Sequence, residues 1–218
     1  MTSPIDHLIA AGARVAAAGI SPGSSGNVSI LADDLVYMTG TGTDLSRLSE
    51  EDIAVLTRDG AFIRGAKPSK ELALHLAFYE KNAAHAAVVH LHSPFAVAAS
   101  CLEPWSDTSA IPPLTPYFVM RVGQSPLVPF RVPGDPDLAA QLLALPHPFH
   151  GALLANHGQI VSAPGLDAAM EAAIELEEAC RITLLTDGKP RRLLPAEDVA
   201  ALAARWGTPW TESAALVR

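Results

Sequence analysis

Ala86-Ala87-Val88-Val89-His90-Leu91-His92 is an apolar run that closes on two histidines, with Ser93-Pro94 directly after it. Its valines and the proline beyond predict a buried strand, followed by a short helix from Phe95 to Leu102. A strand alternates its side chains, so His90 and His92 project from the same face. A second apolar run, Ala152-Leu153-Leu154-Ala155, leads to Asn156-His157-Gly158 and then to Gln159-Ile160-Val161, the strand after it. Three imidazoles therefore stand at two strand ends. Neutral imidazole ligates Zn2+ and similar ions, and catalytic zinc often takes three protein ligands with a position left open. Spacing alone leaves that reading level with three partly buried, hydrogen-bonded histidines.

Upstream, residues 5–18 carry Leu8, Ala11, Val15 and Ala18 at helical spacing. A turn cluster from Ser21 to Asn27 precedes a strand at Val28-Ser29-Ile30, with Leu35 to Met38 as its hairpin partner. Ile53 to Leu56 and Ala61 to Ile63 predict another hairpin across Arg58-Asp59-Gly60. Downstream, the proline-rich middle offers short strands at Tyr117 to Val119 and Leu127 to Phe130. Helices follow at Leu138 to Leu145 and Leu166 to Leu185. The tail with Arg191, Arg192 and Trp210 has no clear pattern. Helices mixed with short hairpin strands indicate one α+β domain, or a mixed three-layer α/β/α sheet.

Lys67-Pro68-Ser69-Lys70-Glu71 is the second constellation. Ser69 is placed to cap a helix running from Glu71 to Asn82, and a carboxylate there favours the helix dipole. Glu71 thus reads first as an ordinary first-turn acid. Ser69 and Lys70 at a helix N-terminus also suit an anion. Gly26-Asn27 and Thr41-Gly42 add loop amides and hydroxyls, without the glycine spacing of a P-loop or a dinucleotide fingerprint. Singly, each reads as a plain turn.

The 218 residues suffice for one ordinary domain that needs no disulfide or metal to fold. Fifteen basic against 23 acidic residues, −8 overall, argues against a nucleic-acid binder or an anionic-membrane protein. Hydrophobic residues at 49% and charged ones at 17% exclude intrinsic disorder. Asn82 to Leu102 holds no Asp, Glu, Lys or Arg, but three histidines and Pro94 make a membrane span too costly there. The N-terminus lacks the basic and apolar segments of a signal peptide. Two cysteines, Cys101 and Cys180, give no disulfide framework, as expected in a reducing cytosol.

Ser25-Gly26-Asn27-Val28-Ser29, Thr41-Gly42, Pro68-Ser69-Lys70-Glu71, His90-Leu91-His92 and Asn156-His157-Gly158 occur in that order over residues 5 to 190. In combination they resemble the class II aldolase/adducin family. The resemblance implies one domain over residues 1–218, a three-layer α/β/α fold with a mixed, largely antiparallel central sheet, and a homotetramer. It implies one divalent ion per subunit, Zn2+ first with Mn2+ or Co2+ as alternatives, on His90, His92 and His157. Glu71 would be the proton-transfer residue and candidate fourth ligand, Tyr117 the family's proton-donating tyrosine. Asn27, Thr41, Gly42 and Ser69 would form the phosphate pocket.

Aldolases of this type carry two serines before the acid, where this chain has Ser69 and then Lys70. Lys70-Glu71, Pro112 to Gly123 and Pro133-Gly134-Asp135-Pro136 look like the 3-oxo-tetronate 4-phosphate decarboxylases. That resemblance implies a phosphorylated sugar-acid substrate, an enediolate intermediate, and Lys70 or Arg121 for the extra carboxylate. The alternatives are an aldolase for a short sugar phosphate such as L-fuculose 1-phosphate, a non-catalytic adducin-like interaction domain and, less well matched, a zinc hydrolase.

Overall fold

A computed structural model describes residues 3–21 and 23–211. Pro22, inside the expected turn cluster, and the tail beyond Thr211 lie outside the described residues. Helix α1 (Pro4–Ala18) opens with a capping box. Ser3 Oγ accepts from the Asp6 N–H while the Asp6 carboxylate accepts from the Ser3 N–H. Strands β1 (Asn27–Ala32) and β2 (Leu35–Thr39) are joined by Asp33 and Asp34, both at positive φ, the turn geometry that matches strand twist. Strands β3 (Ile53–Thr57) and β4 (Phe62–Gly65) make the second hairpin.

Helix α2 (Leu72–Lys81) leads to β5 (Ala87–Leu91) and α3 (Pro94–Ser100). Then come α4 (Pro116–Arg121), β6 (Leu127–Val128), α5 (Pro136–Ala144), β7 (Gly151–Leu154) and β8 (Gly158–Ala163). The long α6 (Leu166–Leu185) has the bounds its periodicity predicts, and α7 (Ala196–Trp206) gives order to the tail.

The eight strands among the described residues form one sheet, ordered β4-β3-β2-β1-β5-β8-β7-β6. Every neighbouring pair is antiparallel except β6 with β7. On one face Val28, Val89, Leu91 and Val161 pack against Leu8 and Val15 of α1 and Met170 and Leu176 of α6. On the other, Val36, Met38, Val88 and Ile160 pack against Phe78 of α2 and Leu142 of α5. This is the expected three-layer arrangement. Each fully buried side chain of this size stabilises the fold by roughly 1.5–3 kcal/mol relative to exposure. Since Val88 faces α2, strand alternation also turns His90 toward the start of α2, which sets the position of the site.

Three local expectations are corrected. Tyr117 to Val119 is helical: Thr115 Oγ accepts from the Phe118 N–H at 3.3 Å and Pro116 begins α4. That cap outweighs the β-propensity of Tyr, Phe and Val. The strand expected at 127–130 stops at Val128, because Pro129 has no N–H for the ladder. Helix α2 starts one residue late, with Glu71 itself at the N-cap position; Ser69 Oγ instead accepts from the Glu71 N–H at 3.3 Å. No described helix is long and apolar enough to cross a membrane.

Candidate active site

Two glycines press loops onto the end of β5. A Cβ on Gly26, at φ 94°, would come 2.8 Å from the His90 carbonyl, and one on Gly158 would come 2.5 Å from that of Leu91. Only glycine tolerates this approach. It brings Asn27 on one side and His157 on the other against the end of β5.

His90, His92 and His157 converge there. The Nε2 atoms of His90 and His157 lie 3.0 and 2.9 Å from that of His92. His90 is fully buried, and its Nδ1 sits 2.7 Å from the Gln159 carbonyl. A carbonyl only accepts, so Nδ1 carries the proton and the Nε2 lone pair faces the cluster. Such an orienting contact is typical behind a metal-ligating imidazole. Glu71 comes from the start of α2, with Oε2 3.3 Å from His90 Nε2 and Oε1 3.2 Å from His157 Nε2. Its Oε1 is buried without a hydrogen-bond partner.

One ligand atom from each of the four residues lies within 4.8 Å of the others. Three imidazole nitrogens thus converge with a carboxylate oxygen that has no hydrogen bond of its own. They fit a divalent cation.

Burial works against the charged form of Glu71. The neighbouring His90 and His157 and the hydrogen bond from Asn27 outweigh it and hold the acid well below its ordinary range. Burial pulls the pKa of His90 down to about 4, despite Glu71 beside it. His75 falls to about 3 and His150 to about 4 for the same first reason. A histidine with its folded pKa below the unfolded value adds stability above pH 6.5 and loses it as pH falls toward the folded value. We expect the melting temperature of the metal-free protein to decline from about pH 6.5 down to about pH 4, with His75 and His90 each adding up to about 1.4 kcal/mol per pH unit. Calorimetry across that range checks it, and a flat profile would contradict it.

The other predicted site residues divide into two groups. An isolated bridge between Gly40 and Pro68, with the Thr41 N–H donating to the Lys67 carbonyl at 3.0 Å, sets Thr41 and Gly42 beside Ser69. Lys70 is exposed and packs against Gly134, where an added Cβ would come 3.1 Å from its own. The Pro133-Gly134-Asp135-Pro136 turn and Lys70 are therefore neighbours. Asn27 is close to Glu71, and its side-chain amide is engaged by Glu71 and His75.

Tyr117 and Arg121 are not in the cluster. They line a cleft with His85, His150, Ser162 and Ala163, at the far end of β8. From His157 to Ala163 a strand rises about 20 Å. Tyr117 is 55% exposed, with the Arg121 guanidinium 5.6 Å from its ring centre. Residues that sequence reading missed are His75, Ser29, Tyr79 and Gln159. Only His75 had a local signal, one helical turn after Glu71 on the same face.

Residues 6–184 match the class II aldolase and adducin N-terminal domain. The chain belongs to the class II aldolase and adducin family. It is 40% identical over 198 residues, 90% of this chain and 91% of the relative, to a 3-oxo-tetronate 4-phosphate decarboxylase from Pectobacterium atrosepticum. The crystal structure of YgbL from Klebsiella pneumoniae superposes with a TM-score of 0.86 at 39% identity, covering 91% of this chain and 97% of that one. An L-fuculose 1-phosphate aldolase superposes with a TM-score of 0.82 at 26% identity, covering 95% and 98%. For this class II aldolase-type chain, the family's metal dependence meets a Glu/His3 group able to hold an ion.

Proposed function

We propose that this chain, as a single class II aldolase-type domain, decarboxylates a 3-oxo-tetronate 4-phosphate to dihydroxyacetone phosphate and CO2. The observation that carries the reading is the convergence of three Nε2 atoms and the unpartnered Glu71 oxygen, in a chain so similar to a decarboxylase of that name. His90, His92 and His157 would hold one divalent ion per subunit, with Glu71 at the fourth side. Three neutral imidazoles and a carboxylate favour Zn2+, with Mn2+ and Co2+ next. When bound, the ion supplies Lewis-acid polarisation of the substrate carbonyl.

The substrate is a β-keto acid. Breaking its C1–C2 bond releases CO2 and leaves the electron pair as an enediolate across C2 and C3. Glu71 then passes a solvent proton to C2, which completes dihydroxyacetone phosphate. Thr41, Gly42 and Ser69 form a pocket for the phosphate, while Asn27 serves the acid. Tyr117 and Arg121, about 20 Å away along β8, can reach a site only from a neighbouring subunit. That requirement supports the homotetramer.

The aldolase alternative rests on the same site and on likeness to the fuculose enzyme. Incubation of the metal-loaded protein with 3-oxo-tetronate 4-phosphate is expected to release CO2 in step with dihydroxyacetone phosphate. Aldehyde release from ketose phosphates, with no CO2, would overturn the proposal.

Lys70 is the specificity residue of this reading, because the decarboxylase must hold a carboxylate that the aldolase substrate lacks. We expect Lys70→Ser to raise KM for the oxo-tetronate phosphate by roughly ten- to a hundred-fold, the worth of one charge-assisted contact. Inhibition by dihydroxyacetone phosphate, which has the phosphate but no carboxylate, should change far less. Equal weakening of both would assign Lys70 to the phosphate.

A further inference from the structure

Behind Glu71 runs a line of buried polar side chains that the reaction as written does not use. Asn27 Nδ2 donates to Glu71 Oε2 at 2.8 Å, and Asn27 Oδ1 lies 2.6 Å from His75 Nε2. His75 Nδ1 lies 2.7 Å from Ser29 Oγ, which is 2.7 Å from the Tyr79 hydroxyl. Ser29 and His75 are fully buried, and Asn27 and Tyr79 are 4% and 5% exposed. Asn27 and Ser29 are two apart on one face of β1; His75 and Tyr79 are four apart on one face of α2. Strand and helix periods thus interleave into a single ladder.

The donors and acceptors allow one direction only. A carboxylate accepts, so Asn27 must turn its NH2 toward Glu71 and its oxygen toward His75. That oxygen also accepts, so His75 carries its proton on Nε2. The bare Nδ1 accepts from the Ser29 hydroxyl, which in turn accepts from Tyr79. Every proton in the chain points toward Glu71.

We propose that Asn27, His75, Ser29 and Tyr79 are positioning residues that lock the Asn27 amide with its NH2 on Glu71 Oε2, so that Oε1, beside His157, is the oxygen left free for an ion and the substrate. The kinetic part rests on the proposed role of Glu71; the hydrogen-bond order does not. If His75 is removed, Asn27 Oδ1 loses its donor, and the amide is held by Glu71 alone and can tilt off the carboxylate.

Two measurements test this. In the metal-free wild-type protein, 15N NMR of histidine should show His75 as the neutral Nε2–H tautomer from about pH 6 to 8. An Nδ1–H tautomer or a charged ring would overturn the proposal. In the loaded enzyme, His75→Leu should lower kcat roughly ten- to a hundred-fold with KM nearly unchanged. His75→Gln, which keeps an N–H toward Asn27, should recover most of that loss. Equal loss in the two variants, or none in either, would overturn the positioning role. In a Glu71→Ala background, His75→Leu should cost nothing further, since no carboxylate remains to be held; an undiminished second loss would mean that His75 is merely structural. Absence of decarboxylation in the wild type would count against the proposed function alone, because the tautomer is read without turnover.

Discussion

His90→Ala is expected to cost the protein its metal and nearly all of its activity. The side chain is fully buried, with Nδ1 tied to the Gln159 carbonyl and Nε2 aimed at the cluster. Its loss removes one of three imidazoles and leaves Glu71 Oε2 with only Asn27 beside it. Changing a residue that merely orients a ligand lowers metal affinity about ten- to a hundred-fold, so deleting a ligand should exceed that. His92→Ala and His157→Ala should behave alike. His92 is only part-buried, so its variant disturbs the core least. Metal analysis of the purified variants and titration with a chelator give the answer. Full occupancy in any one of them would exclude that histidine as a ligand.

Glu71→Gln should lower the decarboxylation rate at least about a hundred-fold, the usual contribution of a general acid–base group. The amide preserves shape, and its oxygen can still accept from Asn27 Nδ2, so folding and phosphate binding should survive. What disappears is the group that passes a proton to C2. In D2O the wild type should deliver deuterium to one face of C2, whereas residual turnover in the variant should label both faces from solvent. A wild-type rate in Glu71→Gln would refute the role.

Much of the site was legible in the chain because its signals are local. The two-residue period at 86–92 puts His90 and His92 on one face whatever surrounds them. Residues 166–185 have a helical period long enough to survive any context, and their bounds agree with the structure. The family motifs then pick His157 and Glu71 out of five further histidines and 22 further acids. Their order carries information that spacing lacks.

Tertiary structure decided the rest. Whether His90 meets Glu71 depends on which face of the sheet α2 covers, and that is set by Val88, Ile160 and Phe78 packing together. Asn27 and Glu71 are 44 residues apart, and Asn27 and His75 are 48 apart; no local pattern encodes a hydrogen bond over that distance. Asn27 therefore read as a phosphate-loop residue, although its amide is held between an acid and a histidine. Tyr117 read as strand because β-propensity is weak beside a Thr-Pro helix start. Its place beside Ser162 and Ala163, at the opposite end of β8, follows from the packing of α4 against α6 and α7. By itself the sequence determined the residue types, their faces and the family; packing of α2 on the sheet decided which of them touch, since contact requires distant segments to bury their apolar faces against one another.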